Sequence, residues 1–445
     1  MKTGFSKKSI TPPLGAPIVG YYNERRVKGV LDELYVRAVA FDDGEKLAFL
    51  ITLDLCFFSQ TFYDEYKSMI AAETGASPEA VFITCSHTHT GPLVGKDFAS
   101  ELQSSPEYLA TLKLAVRDAA LYAVLDLKPT CVKIATTEAK GISFCRRYRM
   151  KDGSVATNPG VGNPNIDHAL SEPNETVKVL RLVREGGREV CLVSFGTHPD
   201  SVGGEYISAD YPGYVCDTVE GALDGVDCVF LQAPQGDVNH INPNPSEEAC
   251  ALTFVDFDSV PRGIEYTKHM GRVIAGAAIA VYSLCREIDT EGIAFGEKLV
   301  KLPTNAENDK LEAAREICRH YDEGRLDLIP YTEMALTTEI ARARRIVELE
   351  HGPDFYTYKL SALRLGSLVF AGLPGEPFTD IGNRIAEESP FENTVICCLS
   401  NAEGAYIPTA KAYSEGGYEA ASSRLKAGSD DIMVGGMNEL LKEIL

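Results

Sequence analysis

Three pairs of strand-like apolar runs, each joined by a short polar turn, limit most strongly how this chain can fold. The pairs are "VRAVAFDDGEKLAFLITLDLCFF", "TVKVLRLVREGGREVCLVSFGTH" and "YTYKLSALRLGSLVFAGLPGE". Apolar runs rich in β-branched and aromatic residues, separated by polar or glycine-containing turns, are typical of β-hairpins. We therefore predict three antiparallel hairpins, starting near Val36, Thr176 and Tyr356.

Helical patterns lie between these hairpins. In "PEYLATLKLAVRDAALYAVLDL" and "GIEYTKHMGRVIAGAAIAVYSLC" the apolar residues recur every three or four positions, which predicts amphipathic helices. Hairpins alternating with helices favour an α/β fold of mixed β-sheets covered by helices over strict βαβ winding. The sequence contains no internal repeat and no linker rich in Pro, Gly and Ser, so we predict a single domain over residues 1–445.

The composition is that of an ordinary globular protein, with 44% apolar and 24% charged residues. Its 43 basic and 64 acidic residues give a net charge of -21, which disfavours nucleic acid and anionic membranes as partners. No apolar run reaches the roughly 18 residues of a membrane span, so we expect no integral membrane association. The N-terminus lacks the apolar segment of a secretory signal, and the 12 cysteines form no CxxC motif. We therefore expect reduced thiols and a cytoplasmic location.

Polar residues of ligand type follow several of the predicted strands. "VFITCSHTHTGP" ends in His87 and His89, and "CLVSFGTHPDS" ends in His198 and Asp200. "SLVFAGLPGEP" ends in Glu376. In an extended segment, residues two apart face the same side, so we expect both His87 and His89 to point into one cavity. Histidine and carboxylate are common zinc ligands, although each histidine taken alone is equally compatible with a core or loop position.

Seven motifs, taken in order, connect the chain to a known family. They are "ITPP", "GVLDELYVRAVAFDDG", "SHTHTGP", "FGTHPDS", "QGDVN", "LPGEP" and "GAYIPTAKAYSEGGYEAASS". Their order from Thr11 to Ser423 resembles that of the catalytic domain of the neutral/alkaline (non-lysosomal) ceramidase family. The resemblance implies a single neutral ceramidase-like catalytic domain over the whole chain.

The resemblance also implies a Zn²⁺ site. Carried over motif by motif, its ligands are His87, His198, Glu376 and Tyr406, with Tyr413 as the alternative if the last motif is shifted. Tyrosinate is an uncommon zinc ligand, so Tyr406 is the least expected member of this set.

Further residues take roles beside the metal by the same resemblance. His89 is expected outside the ligand set, as a proton donor or oxyanion partner. Arg146 in "ISFCRRYRM" matches a substrate-binding arginine, and Arg147 and Arg149 are alternatives to it. Asp237 is expected either to orient a histidine or a water, or to stabilise its own turn.

Two departures from the family pattern bear on the reaction. Asn239 stands where the family motif has a serine that has been assigned as a nucleophile, and asparagine cannot replace serine in that role. A zinc-activated water is then the simplest nucleophile. We also expect neither a secretory signal nor the C-terminal immunoglobulin-like domain of the long ceramidases. Both departures argue against long-chain ceramide as the substrate.

These observations predict a zinc-dependent hydrolase that acts on an amide, ester or lactone bond of a small soluble substrate. A zinc-dependent lyase or isomerase is the first alternative, and a non-catalytic ligand-binding relative is the second. The sequence leaves open the identity of the substrate, the bond that is cleaved and the oligomeric state, with a homo-oligomer among the options.

Overall fold

A computed structural model gives the fold for most of the chain. The structure describes residues 1–95, 102–256, 260–306, 309–331, 333–401 and 405–445, and for residues 333–335 only the backbone. All statements below refer to these residues.

The described residues contain 26 strands, most of which belong to two large sheets or to short two-stranded pairs. In chain order they are β1 (Lys2–Ser9), β2 (Pro17–Ile18), β3 (Arg25–Arg26), β4 (Gly29–Val30), β5 (Tyr35–Asp42), β6 (Leu47–Leu53), β7 (Val81–Cys85), β8 (Lys128–Glu138), β9 (Phe144–Cys145), β10 (Arg147–Met150), β11 (Val155–Thr157), β12 (Ile166–Ala169), β13 (Thr176–Arg184), β14 (Glu189–Phe195), β15 (Tyr206–Ile207), β16 (Val226–Gln232), β17 (Val238–Asn239), β18 (Phe254–Val255), β19 (Pro261–Arg262), β20 (Arg286–Glu287), β21 (Ile293–Pro303), β22 (Phe355–Leu365), β23 (Leu368–Gly372), β24 (Glu376–Pro377), β25 (Asn393–Cys397) and β26 (Tyr406–Ile407).

The described residues also form 11 α-helices and two short 3₁₀-helices, the latter at Pro78–Ala80 and Leu326–Leu328. The α-helices are α1 (Gln60–Thr74), α2 (Pro106–Leu125), α3 (Asp210–Ala222), α4 (Glu247–Cys250), α5 (Ile264–Tyr282), α6 (Leu311–Asp322), α7 (Glu333–Glu350), α8 (Thr379–Glu388), α9 (Ala410–Glu415), α10 (Tyr418–Ser422) and α11 (Ser429–Glu443).

The larger sheet has nine strands and mixed strand directions. Its order is β16-β14-β13-β8-β1-β5-β6-β7, with β20 paired to β8. The pairs β6–β7 and β14–β16 are parallel, and the strands between them are antiparallel. The edge strands β7 and β16 contact each other, so the sheet curls and brings their carboxyl ends together.

A second sheet of four strands, β21-β22-β23-β25, packs on the first. Apolar residues of both sheets form one shared core, which includes Phe82 and Phe370. Helices α1, α2, α3 and α5 cover the outer face of the nine-stranded sheet. Helices α8 and α11 cover the outer face of the four-stranded sheet. The layers are therefore helix, sheet, sheet and helix.

The three predicted hairpins are confirmed. Strands β5 and β6, β13 and β14, and β22 and β23 form antiparallel pairs. The two predicted helices are confirmed as α2 and α5, each with one buried apolar face. The chain thus has the predicted α/β fold of mixed sheets covered by helices.

Helices α6 and α7 form an insertion between the paired strands β21 and β22. They pack on each other through a small apolar core of Ala314, Ala343 and Ile346.

Across the described ranges, no helix combines the length and the apolar character that a bilayer crossing requires.

Candidate metal centre

The predicted site residues gather where parallel strands of both sheets end. Strand β7 leads to His87, β14 leads to His198, and β23 leads to Glu376. Ligand sites in α/β sheets commonly lie beyond the carboxyl ends of the strands, where neighbouring connections diverge. The two packed sheets therefore supply the site jointly.

His87 lies one residue beyond the end of β7 and is almost fully buried, with 1% exposure. Its backbone is left-handed (φ +73°), and its amide donates to the Leu55 carbonyl at 2.8 Å. Its Nδ1 lies 3.0 Å from the Cys56 carbonyl oxygen. A hydrogen bond from Nδ1 to this carbonyl leaves Nε2 directed at the site, where it can bind an ion once it has lost its proton.

His87, His89 and His198 converge through their Nε2 atoms. His89 Nε2 lies 3.3 Å from that of His87 and 3.0 Å from that of His198. The prediction that His87 and His89 face one cavity is thus confirmed, but its reason was wrong. The strand ends at Cys85, so strand alternation does not orient the two rings; the left-handed turn at His87 does.

Glu376 brings a carboxylate to the same place. Its Oε2 lies 3.3 Å from His87 Nε2 and 3.8 Å from His198 Nε2. This oxygen is buried and has no hydrogen-bond partner among the described residues. Leaving a buried carboxylate oxygen unsatisfied is costly, so the position is suited to a cation.

Tyr406 and Arg146 border this cluster. Tyr406 on β26 is in register with Glu376 on β24, and its ring lies 6.5 Å from that of His198, centroid to centroid. Arg146 donates to the Tyr406 hydroxyl at 3.3 Å and forms an ion pair with the fully buried Glu419 at 2.7 Å. Glu419 therefore balances the positive charge of Arg146 beside the site.

Burial sets the charge of several of these groups. It lowers the pKa of His89 to about 3, and it lowers the pKa of His198 well below the usual value, so both rings are neutral at pH 7. Burial raises the pKa of Glu376, but the positive charge of His87 lowers it further, so the carboxyl stays ionised. Burial in turn lowers the pKa of His87, but Cys56 and Glu376 raise it well above its usual value, so without a bound cation His87 is protonated. Burial also raises the pKa of Tyr406 despite the charge of Arg146. Without a bound cation, Tyr406 therefore keeps its proton.

A network of ion pairs and hydrogen bonds beside His89 was not predicted from the sequence. The Asp200 carboxylate accepts hydrogen bonds from Arg262 at 2.8 Å and from the Tyr21 hydroxyl, and it lies 3.9 Å from His89 Nδ1. Arg25 donates to the His89 carbonyl at 2.8 Å. These residues come from segments far apart in the chain, and the sequence pattern had indicated only Asp200, as a polar residue that follows a predicted strand.

Gly20 lets the chain approach the ring of His89. Its φ is +115°, and a Cβ atom there would lie 3.0 Å from the ring. A larger residue at position 20 would therefore displace the ring as well as strain the backbone.

Asp237 and Asn239 occupy different surroundings. Asp237 Oδ1 accepts hydrogen bonds from the amide and the hydroxyl of Thr379 at 2.8 Å each, at the start of α8. The structure therefore does not bring this oxygen to the histidines. Asn239 lines the cavity beside them, where it donates to Asn158 at 2.9 Å and accepts from the Ile241 amide at 3.0 Å.

The alternative residues lie away from the cluster. Arg147 is buried and donates to the carbonyl of Gly416 at 2.8 Å. Arg149 donates to the Gly153 carbonyl at an exposed turn. Of the three arginines, Arg146 lines the cavity. The Tyr413 hydroxyl lies 2.8 Å from Ser423 Oγ.

Two cavities meet at the histidines. The larger has a volume of about 480 Å³ and is bordered by His89, Arg146 and His198. The smaller has a volume of about 280 Å³ and is bordered by His87, His89 and Glu376. Gly404, which begins the last of the seven sequence motifs, lies outside the described residues.

Comparison with known proteins places the fold. No family model matches the chain. The neutral ceramidase from Pseudomonas aeruginosa is similar in structure, with a TM-score of 0.72 at 17% identity over 100% of this chain and 75% of that one. A ceramidase complexed with C2 is similar to the same degree, with a TM-score of 0.72 at 16% identity and the same coverage. The chain therefore has a neutral ceramidase-like fold.

The side chains at the centre fit a metal ion. Two sets of three side chains could each hold an ion, because the three ligand atoms within a set lie within 4.8 Å of one another. One set is His87, His198 and Glu376, and the other is Cys56, His87 and His89. Imidazole and carboxylate suit zinc in the first set, and thiolate and imidazole suit it in the second. His87 belongs to both sets.

Proposed function

We propose that the protein is a zinc-dependent hydrolase that cleaves an amide, ester or lactone bond of a small soluble substrate. The observation that carries this proposal is the convergence of His87, His198 and the unpartnered Glu376 oxygen beside an open cavity. The neutral ceramidase-like fold supports it, because the similar solved structures are ceramidases.

The roles of the residues follow from their places. His87, His198, Glu376 and Tyr406 would hold the zinc. When bound, a zinc ion polarises a carbonyl and lowers the pKa of water to about 7. His89 is neutral at pH 7 and can donate a hydrogen bond to the oxyanion of the tetrahedral intermediate.

Arg146 would supply the second positive charge at the reacting carbonyl. It borders the cavity and contacts the Tyr406 hydroxyl, and Glu419 fixes its position. Asn239 would shape the cavity wall rather than react, because its amide and carbonyl groups are both hydrogen-bonded to neighbours. A role for Asp237 in orienting a histidine or a water remains a prediction that no described contact supports.

The ionisable groups around the larger cavity support a small polar substrate. The larger cavity is bordered by five ionisable groups besides the tyrosines, namely His89, Arg146, His198, Asp200 and Arg262. We also propose that the protein acts in the cytoplasm as one domain over residues 1–445.

The direct test is metal content combined with turnover. We expect about one zinc per chain and hydrolysis of at least one member of a panel of small amides, esters and lactones. His198→Ala should lose both zinc and activity. His168→Ala, at an exposed position on β12, is the matched control and should keep both.

Three outcomes would contradict the proposal. Unchanged zinc and activity in His198→Ala would remove His198 from the metal site. Zinc bound without turnover on the panel, but with lyase or isomerase activity, would favour another reaction class. An acyl adduct trapped on a serine such as Ser86 or Ser201 would contradict a nucleophile derived from water.

A further inference from the structure

The smaller cavity contains two arginines in addition to the proposed metal ligands. Arg345 and Arg424 border it together with His87 and Glu376. The other residues around the two arginines offer mainly hydroxyl and amide groups, among them Gln60, Tyr356, Tyr358 and Ser422. The cavity thus contains two positively charged side chains in addition to the proposed reaction centre.

Arg345 has unused hydrogen-bonding capacity. Its Nη1 atom is buried and has no hydrogen-bond partner among the described residues. The adjacent Arg344 differs, because it forms an ion pair with Asp322 at 3.7 Å and lies over the Tyr321 ring at 4.7 Å. Burying an unpaired guanidinium donor costs free energy. A ligand that brings acceptor oxygens into the cavity would remove this cost.

The backbone at both arginines is held by contacts with the rest of the chain. Arg345 lies on α7, in the insertion between β21 and β22, and α7 packs on α6 through Ala343 and Ile346. Arg424 follows α10, and its carbonyl oxygen accepts a hydrogen bond from the Asn305 amide at 2.9 Å. The insertion therefore contributes directly to the wall of the cavity.

We propose that Arg345 and Arg424 bind a carboxylate group of the substrate, so that the enzyme hydrolyses anionic amides, esters or lactones. This inference rests on the proposed hydrolase function for its reaction, but its binding step can be tested separately. Guanidinium groups match the two oxygens of a carboxylate in geometry and charge. The net charge of -21 repels anions at a distance, so selectivity for them must come from local cations such as these.

The kinetic test compares substrates that differ only in one charge. Pairs of small amides carry either a carboxylate or a neutral carboxamide, on the acyl side or on the amine side of the scissile bond. We expect kcat/KM to favour the carboxylate member of one such pair by roughly 10- to 100-fold. Arg345→Gln and Arg424→Gln should each bring this ratio toward one, mainly through a higher KM.

Arg344→Gln is the matched control, because it removes a guanidinium from the same helix but from an ion pair outside the cavity. It should keep the wild-type ratio. A ratio near one in the wild-type enzyme, or a wild-type ratio in both cavity variants, would overturn the inference while leaving the hydrolase proposal intact.

Ligand binding separates the inference from catalysis. Glutarate, glutaramide and inorganic phosphate are titrated into the full chain, with zinc and after chelation, by calorimetry. Glutarate should bind more tightly than glutaramide in the zinc-free protein, and Arg345→Gln should weaken it roughly tenfold or more. That result supports the inference even if no hydrolysis is found. Equal binding of glutarate and glutaramide, or tighter binding of phosphate than of glutarate, would overturn it.

Discussion

His87 and His89 lie two positions apart, but the chain holds them in different ways. His87 is held at its backbone by Leu55 and at its ring by the Cys56 carbonyl, in a left-handed conformation that non-glycine residues seldom adopt. His89 is held through its carbonyl by Arg25 and lies beside Asp200. Such strain at a buried histidine commonly accompanies a functional position.

We therefore expect the two histidines to respond differently to substitution. His87→Ala should lose zinc and activity together, because His87 belongs to both sets of ligand atoms. His89→Ala should keep zinc and lose turnover by roughly 10²- to 10⁴-fold if His89 acts on the oxyanion or as a proton donor. Zinc content and rate are measured on both variants. Zinc loss from both would instead make His89 a ligand, as in the set with Cys56.

Asp32 gives a prediction about pH and stability. It accepts hydrogen bonds from Ser208 at 2.6 Å, from the Ala209 amide at 2.6 Å and from Tyr214 at 3.0 Å. Burial nevertheless raises its pKa to about 6, although these donors lower it. In the unfolded chain the pKa is about 3.9, so between these values the folded state binds more protons. The free energy of unfolding should therefore fall as pH rises through this window.

The Asp32→Asn variant isolates this contribution. Urea unfolding of both proteins from about pH 4 to pH 7 gives the difference in free energy of unfolding at each pH. We expect the wild-type value to fall relative to the variant by on the order of 3 kcal/mol across the window. A difference independent of pH would show that the hydrogen bonds to Asp32 fully offset the effect of its burial.

Single residues also show which contacts of the candidate site could be predicted from the sequence alone. His87, His198 and Glu376 were predicted as neighbours from motifs at three strand ends, and their ligand atoms do converge. The contacts of Asp200 with Tyr21 and Arg262 could not be predicted, because they join segments far apart in the sequence. Long-range pairing of polar side chains leaves no periodic pattern, unlike the apolar faces of strands and helices.

Among the secondary-structure elements, the strands and helices with strong patterns were predictable and the packing between elements was not. Strands β5 and β6 and helix α2 follow from apolar periodicity and turn residues. The stacking of the two sheets could not be predicted, because no local sequence pattern specifies which two apolar sheet faces pack on each other. The insertion of α6 and α7 between β21 and β22 was likewise unforeseen, and it is this element that brings Arg345 to the cavity.

Two adjacent glycines of α11 provide a matched test of how this helix packs on the four-stranded sheet. A Cβ atom at Gly436 would lie 2.5 Å from Val300 on β21, whereas a Cβ atom at Gly435 would have no neighbour within 4 Å. Gly436→Ala should therefore lower the free energy of unfolding by about 1–3 kcal/mol. Gly435→Ala should raise it by about 0.5–1 kcal/mol, since alanine favours the helix.

Chemical denaturation of both variants measures the two effects. Because the substitutions are identical and adjacent, helix propensity is the same in each, and the difference reports the contacts with Val300 and Leu360. Equal effects at the two positions would mean that α11 does not pack closely on the sheet at Gly436.

Considered as a whole molecule, the proposed metal site connects the two sheets. His87 and His198 follow strands of the nine-stranded sheet, whereas Glu376 and Tyr406 follow strands of the four-stranded sheet. The sheets already share an apolar core that includes Phe82 and Phe370. A cation bound by ligands from both sheets would add a second connection, located at the strand ends. It would join residues that are far apart in the sequence.

This arrangement predicts that zinc stabilises the entire chain and not one part of it. Saturating zinc, at about a thousand times its dissociation constant, adds about 4 kcal/mol to the free energy of unfolding and should raise Tm by on the order of 5 °C. If residues 1–445 form one domain, far-UV circular dichroism and tyrosine fluorescence should show a single transition that shifts as one. Glu376→Gln should abolish the shift, because it removes the only carboxylate ligand of the proposed set. Two transitions, of which zinc moves only one, would divide the chain into separately folding units and would contradict a site built jointly by both sheets.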